Sequence, residues 1–398
     1  MDNLAHSLVG LTAAKAGLGR LSPFATTVCI LAANSPDADV AVGFFADRWT
    51  LLKHHRGITH SIVGTLTLAI VLPVLFYLIE RGVSHFFKRE SRIRLRGLVI
   101  ASLITTATHP ILDWTNNYGI RPYLPWDRHW VYGDLTFVVD PYLWLILGGA
   151  AFLLTSNHRV KIAGWIVLVL GIMALMFFAD GQRAAGGASL WPIRLIWISG
   201  ALLFVLARVL NVGSRFGQRI ALAAFGVILL YWGGLAIAHH FAFKSAMVQA
   251  ESIITPLNEK AIKTAAMPTL GNPRRWLCVV ETERAIYRFS VNLGSPKPFE
   301  PSPWPDSDPY RMPNNPHFER FPKPTGPAAE LVEKAEQDRR AQILLDFSRF
   351  PIATVADNNC LTQTLVQFAD VRYTQPGAAR GSFSLDVPVD CPAESGKQ

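Results

Sequence analysis

The chain has 398 residues, half of them hydrophobic and only 17% charged, and its formal net charge is +9. Soluble domains carry roughly a quarter charged residues, so this composition argues against a wholly soluble protein. Many of the cations lie in short segments between apolar runs, where a membrane protein uses them to set its orientation. A nucleic-acid-binding face would need them together on one polar surface. The lipid bilayer, and no nucleic acid, is therefore the predicted partner.

Apolar runs dominate the first 242 residues. A helix needs roughly 20 mostly apolar residues to cross a bilayer, or about 17 at the short end. Six runs are convincing spans: Ser61–Ile79, Leu98–Leu112, Val138–Leu154, Ile162–Ala179, Leu190–Leu210 and Ile220–Phe241. Two shorter runs, Leu4–Leu18 and Pro23–Ala33, are predicted to be half-embedded or packed against the other helices. Residues 1–242 should thus form an all-α bundle of six to eight transmembrane or half-embedded helices, because backbone polar groups in lipid must pair internally.

Basic segments give the predicted orientation. Arg81–Arg96 holds six Lys and Arg residues and is the strongest cytoplasmic signal in the chain. Counting helices outward from it places Asn157–Lys161 and Arg208–Arg219, both basic, on the same side. With eight helices, both termini lie outside. The chain begins without a basic n-region, so a cleaved signal peptide is not expected. We predict a multi-pass protein of the bacterial inner membrane.

From about Phe243 the composition becomes polar, and residues 243–398 are predicted to form a soluble, extracytoplasmic α+β domain. Strand-length blocks rich in β-branched and aromatic residues are Trp276–Val280, Ala285–Val291, Leu365–Tyr373 and Ser382–Val389. Glu330–Leu345 is predicted to be one helix, and the proline-dense segment Pro296–Pro327 an irregular loop. A Cys360–Cys391 disulfide is compatible with this domain only if it lies outside the cytoplasm.

Several histidines and aspartates fall at one predicted membrane face, and the predicted orientation depends only on the basic segments. They are His6, Asp37, Asp39, His55, His60, His109 and Asp113. Charged groups at membrane depth are costly, so a cluster of them around a shared cavity indicates function. We predict that all seven take part in a metal site.

The spacing of these residues fits metal binding. His109 and Asp113 are four residues apart, hence on one face of a helix, and imidazole and carboxylate can hold one cation together. His55 and His60 bracket an Arg56-Gly57 turn, and Arg56 could hold a phosphate or carboxylate oxygen.

Simpler interpretations remain open for each piece. The His109 and Asp113 pair could be a buried hydrogen-bonded pair that orients two helices. Asp37 and Asp39 could lie in a solvated loop, and Arg56 could extend to lipid headgroups.

The amino-terminal third resembles the family of membrane-bound, metal-dependent hydrolases (YdjM-like, LexA-regulated in some bacteria). The resemblance rests on four matching blocks and a continuation to about Pro141 that includes Asp134 and Asp140. The blocks are Met1–His6, Ser35–Asp39, His55–Ser61 and His109–Asp113. The family typically has Thr where this chain has Ala5. The resemblance implies metal binding and hydrolysis, and a more distant likeness to zinc-dependent phospholipase C suggests phosphoesters.

These observations together predict an integral membrane metal-dependent hydrolase acting at the outer face on a phosphoester or lipid-linked substrate. Seven donors exceed one tetrahedral site, so either two ions share them or some only orient ligands. Zinc is the first choice of metal, with manganese or magnesium as alternatives. Asp134 or Asp140 would act as base or orient a ligand, although a capping role for Asp140 is equally open. The alternatives are a membrane transporter, or a structural or regulatory membrane protein with a non-catalytic metal site.

Overall fold

The computed structural model describes residues 1–181, 191–294, 309–313, 315–356, 362–378 and 383–391. The chain forms two compact units. Unit 1 comprises Met1–Asp39, Arg56–His239 and Met267–Pro273. Unit 2 comprises Val40–His55, His240–Ala266 and Arg274–Gln398. A segment from the amino-terminal part of the sequence therefore belongs to the second unit.

Ten α-helices lie within the described part of residues 1–257. They are α1 Asn3–Lys15, α2 Ala25–Asn34, α3 Arg48–His54, α4 Ile62–Phe86, α5 Leu95–Trp114, α6 Pro141–Thr155, α7 Arg159–Gly181, α8 Trp191–Val209, α9 Val212–Phe216 and α10 Gln218–Ile254. The short α3 belongs to unit 2, and α10 passes from unit 1 into unit 2 after His239.

Among the described residues, five helices (α4, α5, α7, α8 and α10) are long and apolar enough to cross a membrane. The predicted count of six to eight is not confirmed. The run Val138–Leu154 forms α6, whose 15 residues extend only about 22 Å, against roughly 30 Å of hydrocarbon. Conversely, Ile220–Phe241 is only part of the 37-residue α10. Leu66, Ile70 and Leu78 on α4 are about half exposed, as lipid-facing side chains would be.

The two short amino-terminal helices pack inside unit 1. Helix α1 begins at the N-cap Asp2, whose carboxylate accepts a hydrogen bond from the amide of Ala5. It packs against α2 and α6, while α2 also packs against α5. The approach of α1 to α2 is close, because a Cβ atom added at Gly10 would lie 2.6 Å from the carbonyl oxygen of Cys29. These two helices thus pack against the other helices of the bundle, which is one of the two arrangements predicted for them.

Unit 2 contains two further helices and the sheets, apart from the segment Met267–Pro273 where β1 ends and β2 begins. The strands are β1 Ala261–Thr269, β2 Asn272–Thr282, β3 Ala285–Asn292, β4 Arg311–Met312, β5 Asn315–Pro322, β6 Pro351–Val355, β7 Gln363–Asp370 and β8 Ser384–Asp390, and the helices are α11 Pro327–Ala335 and α12 Arg339–Phe347. The described strands form sheets in the orders β1-β2-β3-β5-β4 and β6-β7-β8. Trp276, Phe318 and Phe368 are among the fully buried side chains of this unit.

Two predictions in this region are wrong. The predicted single helix Glu330–Leu345 is divided into α11 and α12, with Asp338 capping the second by accepting a hydrogen bond from the amide of Arg340. The predicted loop Pro296–Pro327 contains β4 and β5, where β5 pairs with β3 from Ala285 opposite Pro322. Part of that loop, 296–308, lies outside the described residues, as does Cys360.

Candidate metal centre

Four predicted donors from three segments of unit 1 meet in a buried cluster, His60, His109, Asp37 and Asp113. The Nε2 atoms of His60 and His109 are 3.1 Å apart. The Nε2 atom of His60 lies 3.3 Å from Asp37 Oδ1 and 3.2 Å from Asp113 Oδ2. The Nε2 atom of His109 lies 3.5 Å from each of the same two carboxylate oxygens. All four residues therefore direct one donor atom toward a common point.

Local structure explains this convergence. His109 and Asp113 occupy successive turns at the end of α5, as their spacing predicts. Asp37 lies in the 3₁₀ segment Ser35–Phe44, which directly follows α2. His60 ends a 3₁₀ turn packed tightly on the first turn of α4, since a Cβ atom at Gly64 would lie 1.7 Å from the carbonyl oxygen of Ile58. Only glycine fits this position, so Gly64 helps to hold the His60 turn against the helix.

The Nδ1 atoms of His60 and His109, which point away from the cluster, each face a hydrogen-bond acceptor. The Nδ1 atom of His109 lies 2.6 Å from the carbonyl oxygen of Ala33. The Nδ1 atom of His60 lies 3.1 Å from Thr59 Oγ1 and 3.3 Å from Asp39 Oδ2. Such acceptors fix the proton on Nδ1 and leave the lone pair on Nε2, which is the arrangement found around metal-ligating histidines. Asp39 therefore faces the Nδ1 side of His60 here, outside the cluster of four.

His6 lies against this cluster. Its ring stacks on His109 with centroids 3.7 Å apart, and its Nε2 atom is 3.5 Å from Asp113 Oδ1. Neither ring nitrogen of His6 has a hydrogen-bond partner among the described residues, and the same holds for Asp113 Oδ2, although all three atoms are buried. Buried polar atoms are nearly always satisfied, so these orphans indicate a missing partner.

A small divalent cation fits the donor set. Atoms 3.1–3.5 Å apart at the corners of a tetrahedron would lie about 2.0 Å from its centre, the bond length of zinc to imidazole nitrogen and carboxylate oxygen. The set of two imidazoles and two carboxylates suits zinc and also manganese. An aspartate carboxyl is ordinarily ionised at neutral pH, so Asp37 can bind a cation as a carboxylate.

Arg56 has a different environment from the predicted one. Its backbone is left-handed, with φ of 54°, and its amide donates a hydrogen bond to Asp39 Oδ2. Its buried guanidinium donates to Asp113 Oδ1 at 3.0 Å, to Asn116 Oδ1 at 3.0 Å and to the carbonyl oxygen of Gly119 at 3.0 Å. These contacts favour positioning of Asp113 over the predicted binding of a substrate anion. The amino group of Met1 also pairs with Asp113 Oδ1.

The remaining predicted residues are His55, Asp140 and Asp134. His55 falls in the segment of unit 2 that precedes Arg56. Asp140 is the N-cap of α6: its Oδ1 accepts from the amides of Tyr142 and Leu143, and its Oδ2 accepts from the Tyr231 hydroxyl. The alternative capping role therefore describes Asp140 better than that of a base. Asp134 is buried, with φ of 52°, in a loop whose flanking amides of Gly133 and Leu135 donate to Trp114 and Thr115, just beyond Asp113.

Several groups that contact the cluster were not predicted from the sequence. The carbonyl oxygen of Ala33 is a backbone group with no sequence signature. Asn116 follows Asp113 by three residues but belongs to none of the matched blocks. Thr59 lies within the His55–Ser61 block, and its hydroxyl donates to Asp39 Oδ2 at 3.0 Å. The matched His55–Ser61 block is the feature of the sequence that could have indicated a role for Thr59.

Comparison with known proteins finds similarities to the chain, one of them to a family over its amino-terminal part. Residues 1–180 match the family described as YdjM inner membrane protein. The chain is also 25% identical over 175 residues to the uncharacterized protein YfhP of Bacillus subtilis (strain 168), a match covering 42% of this chain and 46% of that protein. No solved structure matches the chain. These matches do not confirm the likeness to metal-dependent hydrolases or to phospholipase C. Together with the apolar helices, they identify the chain as a membrane protein whose first 180 residues are similar to the YdjM inner membrane family.

Proposed function

We propose that this protein is a membrane-embedded, metal-dependent hydrolase that acts on phosphoester or lipid-linked substrates. One observation carries the proposal: the Nε2 atoms of His60 and His109 face each other at 3.1 Å between two carboxylates. Each Nδ1 atom has an acceptor, so both Nε2 atoms present lone pairs. Two lone pairs at this distance repel each other unless a cation lies between them.

The proposed roles follow from the contacts. His60, His109, Asp37 and Asp113 would hold one cation, with His6 as an additional donor beside Asp113. Asp39 and the Ala33 carbonyl would orient the two imidazoles. Arg56 would hold Asp113 in place. When bound, a divalent cation acts as a Lewis acid and lowers the pKa of a water molecule toward neutrality.

Asp134 remains the proposed base. Backbone hydrogen bonds from Gly133 to Trp114 and from Leu135 to Thr115 tie its loop to the end of α5 that carries Asp113. Asp140 is less suited to this role, because its Oδ1 caps α6 and its Oδ2 accepts a hydrogen bond from the Tyr231 hydroxyl.

A lipid-linked substrate is proposed because the donors lie at the ends of apolar spans, where a headgroup meets the protein. His60 immediately precedes α4, and Asp113 lies at the end of α5. Cys391 in the carboxy-terminal part is disulfide-bonded, which supports an extracytoplasmic location of the tail.

Metal removal and reloading would test hydrolysis. The purified full chain would be stripped with a chelator, reloaded with zinc, manganese or magnesium, and assayed on aryl phosphates, phospholipid vesicles and polyprenyl phosphates. We expect at least one phosphoester to be hydrolysed only by reloaded protein, with the rate lost in His60→Ala and strongly reduced in Asp134→Asn. Metal binding without hydrolysis of any of these substrates would contradict the enzyme and favour a non-catalytic metal site.

A transport function is the second candidate, and buried hydroxyl groups favour it. Thr12, Thr65, Ser102 and Thr106 are buried in α1, α4 and α5, and their hydroxyls have no hydrogen-bond partner among the described residues. Thr106 and Ser102 lie about one and two turns into the bundle from His109 on α5. Such groups would suit ordered water leading inward from the cluster. Metal-ion or proton flux into liposomes, abolished by Thr106→Val, would support transport over hydrolysis.

A further inference from the structure

A basic cavity and an apolar groove of unit 1 share one arginine. The cavity, of about 540 Å³, lies at the end of α1 and α6 opposite to the metal donors. Three cations line it, Lys15, Arg20 and Arg208, and none of its lining residues, all of them in the described part of the chain, is acidic. Basic residues at one membrane face commonly serve orientation alone. Three cations that line one cavity are more than orientation requires.

The geometry of Arg208 leaves part of its guanidinium available. Its Nε atom donates to the carbonyl and hydroxyl oxygens of Ser156 at 3.1 and 2.9 Å, and its Nη2 atom donates to the same carbonyl at 2.8 Å. These bonds fix the guanidinium at the end of α6. Its Nη1 atom donates to no residue that the structure describes, and Lys15 and Arg20 form no ion pair within the described ranges. The cavity therefore has positive charge and no anion of the protein's own to balance it.

The apolar groove begins at the same arginine and runs between α6, α7 and α8. Its volume is about 350 Å³, and aromatic rings of Phe152, Trp165, Trp197 and Phe204 line it. From Arg208 to Trp197 on α8 it extends eleven residues, or about 16 Å. An extended acyl chain of about a dozen carbons has this length, and such a chain is held by hydrophobic contact alone.

We propose that the cavity and groove together form a binding site for an anionic phospholipid. The headgroup phosphate would lie among Lys15, Arg20 and Arg208, and one acyl chain would occupy the aromatic groove. Arg208 joins the two parts, because its side chain lines both spaces. Guanidinium and ammonium groups bind phosphate through charge-assisted hydrogen bonds. Free phosphate shares the headgroup chemistry but has nothing to place in the groove. This proposal is independent of the hydrolase function.

Native mass spectrometry of the full chain in neutral detergent would test the headgroup. Titration with dioleoylphosphatidylglycerol should show one saturable lipid that dioleoylphosphatidylcholine does not replace. The double variant Lys15→Gln/Arg20→Gln should bind it at least tenfold more weakly, since each cation near a membrane surface contributes roughly fivefold. Arg219→Gln, a cation of the neighbouring α10 that does not line the cavity, is the matched control and should bind as the wild type does.

A second arm distinguishes a lipid from soluble phosphate. Ala201→Phe places a ring in the groove without touching the cations, and it should weaken phosphatidylglycerol binding severalfold. Inorganic phosphate at millimolar concentration should fail to displace the lipid. Equal binding of the two phospholipids by the wild type would overturn the proposal. The proposal would also be overturned if the double variant bound phosphatidylglycerol as tightly as Arg219→Gln does. A third contradicting result would be that inorganic phosphate displaces the lipid and binds equally well to the wild type and to Ala201→Phe. The double variant and Ala201→Phe leave the Arg208 contacts with Ser156 intact, so these readouts do not require a change at Arg208 itself.

Discussion

Both units bury charged side chains, but they do so in opposite ways. In unit 2, Arg372 and Asp370 are completely buried and pair at 2.7 Å, and the guanidinium also lies over the rings of Phe347 and Tyr373. In unit 1, two carboxylates and two imidazoles converge, and the buried Asp113 Oδ2 beside them has no hydrogen-bond partner among the described residues. The first arrangement pairs each charge with its opposite. The second gathers four groups that donate electron pairs, of which Asp113 also pairs through Oδ1 with Arg56 and the Met1 amino group.

This difference separates structural burial from a binding site. A buried ion pair with additional hydrogen bonds satisfies its own groups and needs nothing from solvent. Electron-pair donors that are buried against one another are unfavourable unless a cation lies among them, so such a cluster indicates a bound cation. The described part of the chain therefore contains one kind of buried charge that should matter for folding and another that should matter for metal binding.

The largest expected effect on folding concerns the pair in unit 2. Asp370→Ala leaves the Arg372 guanidinium buried without its carboxylate, which should destabilise this unit by about 3–5 kcal/mol. Amide hydrogen exchange of β6 and β7 in the full chain measures this loss. Metal content should stay at the wild-type level. Replacing both residues by leucine should recover much of the protection, and unchanged protection in Asp370→Ala would show that the pair is not structural.

A smaller effect is expected where a carboxylate orients a ligand. Asp39→Asn weakens the acceptor that faces His60 Nδ1, so metal affinity should fall by about 10- to 100-fold without complete loss of binding. Competition with a chromophoric chelator measures the affinity. Asp47→Asn is the control, because that carboxylate caps α3 in unit 2 through the amide of Thr50. Equal affinities of the two variants would remove Asp39 from the site.

The smallest effect is expected at a helix cap. Asp140→Ala removes the acceptor for the amides of Tyr142 and Leu143 and should destabilise the protein by about 1 kcal/mol, seen as a small drop in thermal midpoint. Asp140→Asn keeps a side-chain acceptor and should retain both stability and hydrolysis. If Asn at this position abolished hydrolysis at unchanged stability, Asp140 would be the base after all.

Much of the cluster followed from spacing and from helix ends. The four-residue separation of His109 and Asp113 placed them on one face of α5, and counting helices brought His6, Asp37 and His60 to the same end. Spacing could not separate donors from orienting groups. Asp37 and Asp39 are two residues apart, yet Asp37 Oδ1 faces both Nε2 atoms while Asp39 Oδ2 faces His60 Nδ1. That distinction depends on the turn of the backbone.

The fold was less predictable for the length of α10 and for the strand β5. Helix α10 is 37 residues long because its polar last turns remain helical after the apolar run ends. β5, with sequence NPHFERFP, has prolines at both ends and resembles a loop. It becomes a strand through pairing with β3, in which Ile286 lies opposite Phe321. Such long-range pairing overrides local propensity and leaves little trace in the local sequence.

Elemental analysis of the purified full chain tests the central claim most directly. Wild-type protein should carry about one divalent cation per chain, and His60→Ala and Asp113→Ala should lose it. His129→Ala, which changes an exposed histidine of the same unit, should retain the wild-type stoichiometry. Metal retained in full by both His60→Ala and Asp113→Ala would contradict the proposed centre.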